Sequence, residues 1–481
     1  MIPQSDGADS SSFDEGMTRG VGLLRGDPKT AIRKLSGPMI IAMLLMAVYN
    51  LADAIWVAGI GADSLAAVGF VTPVFMIIIG LSNGLGAGAT SLVARRIGAR
   101  DKPGADNAAM HAILLGVLFA ALITPVLTIA IEPVAVLLGA GHVAGLAAEY
   151  GRIVFSGTVF FLLVQICYAI LRAEGDTRRT MYAMAASSVL NMVLDPLLIY
   201  GAGMGVAGAA VATVISVAAV SLVVAYWFIV KKTTYVTLSR QSYSPDWRTA
   251  TDILAVSLPA GLEFLLMSLI VIVNNGILVA VAGTDAVAIY TSGWRVVMFA
   301  IVPLIGIATS LVSVAGAAFG AREYEKLNIA YSYAIKAGTA IALVTSLATW
   351  LFAPQITVAF TYTPESARLA AGFILFFQTM CLFYPFVPAG MFSSSVFQGT
   401  GKGMTSLVIS LLRNLFFIAV FVYVLAVVVG MNEYGVYLGI VAGNILGGLV
   451  GHGWVRLYIS RLIAQQSAAT ATPRGKAGKG A

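Results

Sequence analysis

The chain is a succession of long apolar runs, each bounded by charged or Gly/Pro-rich turns. Runs of about 20 apolar residues are what a helix needs to cross a bilayer, because a lone helix satisfies its own backbone in hydrocarbon. Twelve can be placed, near 38–60, 66–93, 108–131, 146–170, 179–200, 206–230, 251–281, 286–317, 328–352, 366–394, 404–429 and 434–462. Composition agrees: 59% of the 481 residues are hydrophobic and 11% are charged, against about 25% charged in soluble domains. A soluble globular protein is excluded. The net charge of +7 therefore reports topology, with no nucleic-acid partner expected.

The basic residues set that topology. With twelve spans and the N-terminus inside, 25 of the 29 Lys and Arg fall in inside segments, and the outside loops carry only Arg368. Cytoplasmic loops carry such an excess, so both termini are expected in the cytoplasm of a multi-pass plasma-membrane protein. Residues 1–35 read as a cytoplasmic segment. The first six spans form a lobe over 36–230, and a polar linker follows at 231–249. The other six form a lobe over 250–463, and 464–481 read as a disordered cytoplasmic tail.

The halves look related. Leu35-Ser-Gly-Pro38 resembles Val256-Ser-Leu-Pro259, and Gly98-Ala-Arg100 matches Gly320-Ala-Arg322. Six spans per half give both halves the same orientation, so a pseudo-two-fold axis along the membrane normal is expected. The predicted fold is thus an all-α membrane protein of twelve helices in two six-helix lobes.

Few acids fall within the apolar runs: Asp53 in the first span, Asp195 in the fifth and Glu263 in the seventh. A charge at mid-membrane costs roughly 2.5–3.5 kcal/mol on insertion scales. A carboxylate there must be protonated, paired or bound to a cation. Neither Asp has a Lys or Arg nearby in sequence. On the first span Met39, Met43, Met46, Asn50 and Asp53 share one face, with Tyr49 at its flank. Methionine gives an adaptable apolar wall suited to varied ligands. On the fifth, Ser188, Asn191 and Asp195 share a face, and Pro196 follows, removing a backbone hydrogen bond. The sixth runs Gly205, Ala209, Thr213, small enough to bring Thr213 close to the fifth. The second half lacks this set; Asn275 stands where the first half has Asp53.

Several segments together resemble the multidrug and toxic compound extrusion (MATE) transporters: Tyr49-Asn-Leu-Ala-Asp53-Ala-Ile-Trp-Val-Ala-Gly59, Ala94-Arg-Arg-Ile-Gly-Ala-Arg100, Leu171-Arg-Ala-Glu-Gly-Asp176, Asn191-Met-Val-Leu-Asp195-Pro and Gly208-Ala-Ala-Val-Ala-Thr213. The resemblance covers nearly the whole chain and is greatest to the DinF-like branch and its archaeal members. It implies a monomeric antiporter that exports amphipathic organic cations and xenobiotics in exchange for H⁺ or Na⁺, with no cofactor and no enzymatic activity. It implies coupling at Asp53, Asn191, Asp195 and Thr213, which would also hold any Na⁺. Tyr49 and Tyr150 match cavity positions, and Pro38 matches a helix-bending position. Beside these, the residue reading places Met46, Asn50 and Ser188 on the cavity and a second bend at Pro196. Glu263 lies four residues from where the NorM-like pattern puts its acid, so that role is not carried over. The alternative is a lipid or lipid-linked oligosaccharide flippase of the same superfamily, whose cavity should be cationic. No metalloprotease, serine-hydrolase, dinucleotide or complete phosphate-loop motif is present, so an ion gradient must supply the energy.

Overall fold

A computed structural model describes residues 17–471 apart from 240 and 242. A short helix, α1 (Arg19–Arg25), leads into α2 (Pro28–Ala58), α3 (Ala62–Gly98) and α4 (Lys102–Leu137). The fourth span is two helices, α5 (Ala144–Ser156) and α6 (Thr158–Ala173), bent by 45°. Then come α7 (Thr177–Pro196) and α8 (Gly205–Tyr226), each continued by a π turn. The second half opens with α9 (Trp247–Gly320), 74 residues that hold two spans broken at Gly283. It continues through α10 (Tyr324–Leu351), the short α11 (Ala353–Val358) and α12 (Pro364–Ala367), then α13 (Ala370–Met380) and α14 (Val387–Gly399). It ends with α15 (Gly403–Ser410), α16 (Ile418–Tyr423) and α17 (Asn432–Ala471). Among the described residues ten helices are each long and apolar enough to span, and the bent pair makes eleven. With α9 divided at its break, the twelve expected spans are all present.

Helix starts explain the register. Asp27, Asp101, Asp176 and Asp246 each cap the following helix by accepting from its first-turn backbone N–H groups. Such a side chain satisfies a donor the helix leaves orphaned, for about 1 kcal/mol. All four stand on the face that carries the basic residues. The turns there repeat across the halves. Arg100 and Arg322 are left-handed at φ 60° and 58°, and Gly175 and Gly401 both sit at φ 80°.

Two buried cores correspond to the halves. One gathers Met39, Ala42, Ala89, Phe155 and Ile166; the other gathers Leu304, Tyr331, Phe376, Phe392 and Tyr437. Helix α2 belongs to both, because Ala31, Ile32 and Leu35 pack in the second-half core. The crossing falls at Pro38. The helix of the first span therefore starts at Pro28, ten residues before the sequence places the span, and within the segment 1–35 it buries Pro28, Ala31, Ile32 and Leu35 while Lys29, Arg33 and Lys34 stay exposed. At the other end, α17 runs to Ala471, well into the tail expected to be disordered. Arg240, Arg474, Lys476 and Lys479, four of the residues in the basic count, lie outside the described residues.

The halves meet near the basic face. A Cβ added to Gly98 would fall 2.7 Å from the carbonyl carbon of Ala317, and one added to Gly320 would fall 2.7 Å from that of Arg95. Ser91 Oγ donates to Gln398 O at 2.5 Å. Gly88 packs against Ser257 and Ile253, and Gly306 against Ile40. Further along α2, away from this face, Met46 and Ile55 are 41% and 60% exposed.

The linker is tied down. Asp106 accepts from Thr237 N (2.9 Å) and Thr237 Oγ1 (2.7 Å), Asn107 Oδ1 from Ser244 N (3.0 Å), and Glu174 Oε2 from Val236 N (3.0 Å). Burial pushes the Glu174 carboxyl up to about 8; Asp176 adds to this, while the Val236 and Tyr235 N–H groups and Arg179 oppose it. A carboxyl whose pKa is raised by folding costs stability above its unfolded value, and the whole cost is felt once pH passes the folded value. Proteolysis within 231–249 is therefore expected to accelerate from about pH 6 to about pH 9. Glu174→Gln keeps an acceptor for Val236 and should remove that acceleration; equal pH responses would show that Glu174 does not control the linker.

Candidate functional site

Three helices of the first half converge on the two acids. Asp195, at the end of α7, is fully buried, and Asn191 one turn earlier is 2% exposed. With its amide oriented to satisfy its neighbours, Asn191 Nδ2 donates to Asp195 Oδ2 at 2.8 Å, and its oxygen accepts from Thr213 N at 3.2 Å. Asp53 comes from α2 and its carboxyl lies beside that of Asp195. Two ionised carboxylates side by side repel each other, and neither has a proton to donate. Asp195 Oδ1 is otherwise buried without a protein donor. A proton, or a cation, between the carboxyls removes that deficit.

The close approach predicted for α7 and α8 is made by Gly208, where a Cβ would lie 2.7 Å from Leu198 C. Thr213 Oγ1 donates to Ala209 O at 3.0 Å, leaving its lone pairs for a donor. Tyr49 lies near Thr213 and close to both acids, and Tyr150 from α5 is also close to the acids. The structure thus brings Tyr49, Asp53, Tyr150, Asn191, Asp195 and Thr213 into one site. Ser188 is buried one turn further along the Asn191 face, at 7% exposure. Asn50 and Met46 are exposed and stand outside the cluster. The methionine face grades from fully buried Met39 through half-buried Met43 to exposed Met46. Pro38 marks the passage of α2 between cores. Pro196 directly precedes the π turn Leu197–Gly201.

That turn contains a residue that sequence reading missed. Tyr200 donates to Trp56 O at 2.6 Å and stands edge-on to the Trp56 ring. It pins the end of α2, three residues past Asp53, to the segment just past Asp195. Val57, Ile199 and Ala209 pack beneath it, with Tyr150 against them. The proline bend hinted at an irregular turn, but no spacing rule points to a tyrosine four residues later.

The second half is different. Ser406 donates to Glu263 Oε1 at 2.7 Å, and Arg413 lies near enough to interact with Glu263 electrostatically. Its acid has a counter-cation; the first-half pair has none among the described residues.

The family model described as MatE matches residues 38–197 and 259–424. The matched stretches begin at Pro38 and Pro259, the equivalent prolines of the two halves. A transporter is the class that this fold and this match define: twelve spans in two halves, and no enzyme. The chain belongs to the MATE family. It is 27% identical over 393 residues to the multidrug export protein MepA of Staphylococcus aureus strain MSSA476, covering 81% of this chain and 86% of that one. It is also 27% identical over 402 residues to an FAD transporter of Shewanella oneidensis, covering 82% and 87%. Among solved structures, a MATE protein in complex with MaL6 superposes with a TM-score of 0.91 at 44% identity, covering 93% of this chain and all of that one. A MOP-superfamily transporter from Pyrococcus furiosus, described as having a binding pocket of reversed polarity, gives 0.90 at 44% identity, covering 93% of this chain and 99% of the other.

Proposed function

We propose that this chain is a secondary active antiporter that exports amphipathic organic cations, xenobiotics among them, in exchange for H⁺ or Na⁺. The observation that carries the reading is the adjacent pair Asp53–Asp195, an acidic site with no cation beside it among the described residues. Such a pair holds a proton or a metal cation and repels neither a cationic drug nor its replacement. Asn191 and Thr213 supply neutral oxygens to the same site, which suits Na⁺ as well as H⁺. Tyr49, Tyr150 and Ser188, with Met46 and Asn50 further out, form the wall that a flat apolar cation would contact. No cofactor takes part, and one chain supplies both halves, so a monomer suffices. The position of the acids in the first half supports a place in the DinF-like branch, to whose archaeal members the sequence bears most resemblance.

The related proteins differ in cargo, multidrug export in one and FAD in another, so the substrate class rests on the site's charge. A flippase of lipid-linked phosphates would want cations facing the cavity, whereas the one cation named near Glu263, Arg413, is already opposed by that acid. Loading proteoliposomes with ethidium and imposing ΔpH and ΔNa⁺ separately tests the proposal. Efflux driven by one gradient at least is expected; efflux that ignores both and needs ATP would overturn it.

The basic face is assigned to the cytoplasm, with both termini and the linker. The native cysteines Cys167 and Cys381 are buried, so an added cysteine reads cleanly. Gln241→Cys should resist an impermeant maleimide applied to intact cells and react in inverted vesicles. The opposite pattern would reverse the topology.

A further inference from the structure

At the seam between the halves lies a polar cavity of about 170 Å³. It is too small for a drug-sized molecule, whose sites run about 300–1,000 Å³. Gly98 and Arg100 line it from the first half, Ala317, Glu323 and Lys326 from the second, and Arg25 from α1. Three cations face one acid, and that acid is already engaged: Lys326 Nζ pairs with Glu323 Oε2 at 2.8 Å. Arg25 is held in place by donating through Nε (3.2 Å) and Nη2 (2.9 Å) to Ile97 O, which leaves Nη1 free to donate. Lys326 Nζ also donates to Arg25 O at 2.9 Å, linking α10 to α1. Arg100 sits at the left-handed turn after α3, and its guanidinium has no hydrogen-bond or ion-pair partner among the described residues. The nearest acid in sequence, Asp101, is paired with Arg96 at 2.8 Å.

We propose that this cavity binds a phosphate group, and that its occupation favours the state in which the halves are closed on the basic face. The chemistry is that of a compact anion with several acceptor oxygens meeting two guanidinium forks and an ammonium. The depth fits too: Gly98 and Gly320 end two apolar spans, so the cavity stands at the level where lipid headgroups begin. Both a free phosphate ion and the headgroup of an anionic lipid present this group, and basic residues at that level attract anionic lipid. Because both halves line the cavity, rocking them apart dismantles it. A ligand that binds one state alone shifts the population towards that state. This site is separate from the Asp53–Asp195 pair and stands whichever ion or drug that pair handles.

The test uses the full chain purified in mild detergent. Phosphatidylglycerol binding is measured against phosphatidylcholine by native mass spectrometry, and inorganic phosphate binding by calorimetry. Arg100→Asn removes the free cation while keeping a residue that tolerates the left-handed turn; Arg100→Lys restores the charge. Selective binding of either probe is expected, weakened about fivefold by Arg100→Asn, as the loss of one cation near an anionic surface implies, and largely recovered in Arg100→Lys. Binding of inorganic phosphate identifies the free ion as sufficient, and binding of phosphatidylglycerol alone identifies the lipid. Equal affinity of wild type and Arg100→Asn, or no selective binding of either probe, overturns the proposal.

Discussion

Asp195→Asn is expected to yield a folded, membrane-inserted protein whose gradient-driven efflux is lower by roughly 100-fold, the upper part of the usual range for coupling between two sites. The reasoning starts from size. Asn is isosteric with Asp and keeps an oxygen and an N–H₂ at the buried position, so the packing of α7 against α8 at Gly208 survives. What disappears is the exchangeable proton and the charge that replaces it. Asp53→Asn should do the same from α2, because the two adjacent carboxyls form one site. Groups that act as a unit are not additive, so the double variant should resemble either single one. Full gradient-driven transport by Asp195→Asn would leave α7 a structural element and turn attention to Glu263.

Gly98→Ala and Gly320→Ala are expected to hold the basic face open. Each adds a Cβ that overlaps the backbone of the other half, and backbone cannot swing aside as a side chain does. Overpacking of this kind costs about 1–3 kcal/mol, which is a shift of about 5- to 150-fold in the balance between states. The cost falls on the closed state, since the added atom points out of its own half. Ser257, 4% exposed and packed against Gly88 in the same seam, provides the readout. Ser257→Cys should react slowly in the otherwise native chain and several times faster beside Gly98→Ala. Unchanged labelling would mean that the halves do not separate at this seam.

Much of this was readable before any coordinates. Intramembrane acids are costly, so their spacing on the first, fifth and sixth spans had few explanations, and Asp53, Asn191, Asp195 and Thr213 do converge. Hydropathy and the basic bias likewise gave the number of spans. Other features leave no periodic signal. The first span begins early because Ala31, Ile32 and Leu35 are buried by the opposite half, and a contact between halves is invisible in local hydropathy. The break at Gly283, by contrast, is marked in the sequence by Gly283-Thr284-Asp285, which separates the spans placed at 251–281 and 286–317. Tyr200 matters through a π turn that only the backbone reveals. The linker reads only as a polar segment because its partners, Asp106, Asn107 and Glu174, lie far from it in sequence.

The central claim is that the Asp53–Asp195 pair couples an ion to cargo. By linkage, the ion must then change the affinity for the cargo, and by the same factor in both directions. Ethidium binding to the purified protein, followed by its fluorescence across a range of pH and Na⁺ concentration, measures this directly. The wild type should bind ethidium more weakly as pH falls or as Na⁺ rises, while Asp195→Asn should bind with an affinity that responds to neither. An identical response in wild type and variant, or an affinity in the wild type that ignores both ions, would contradict the account.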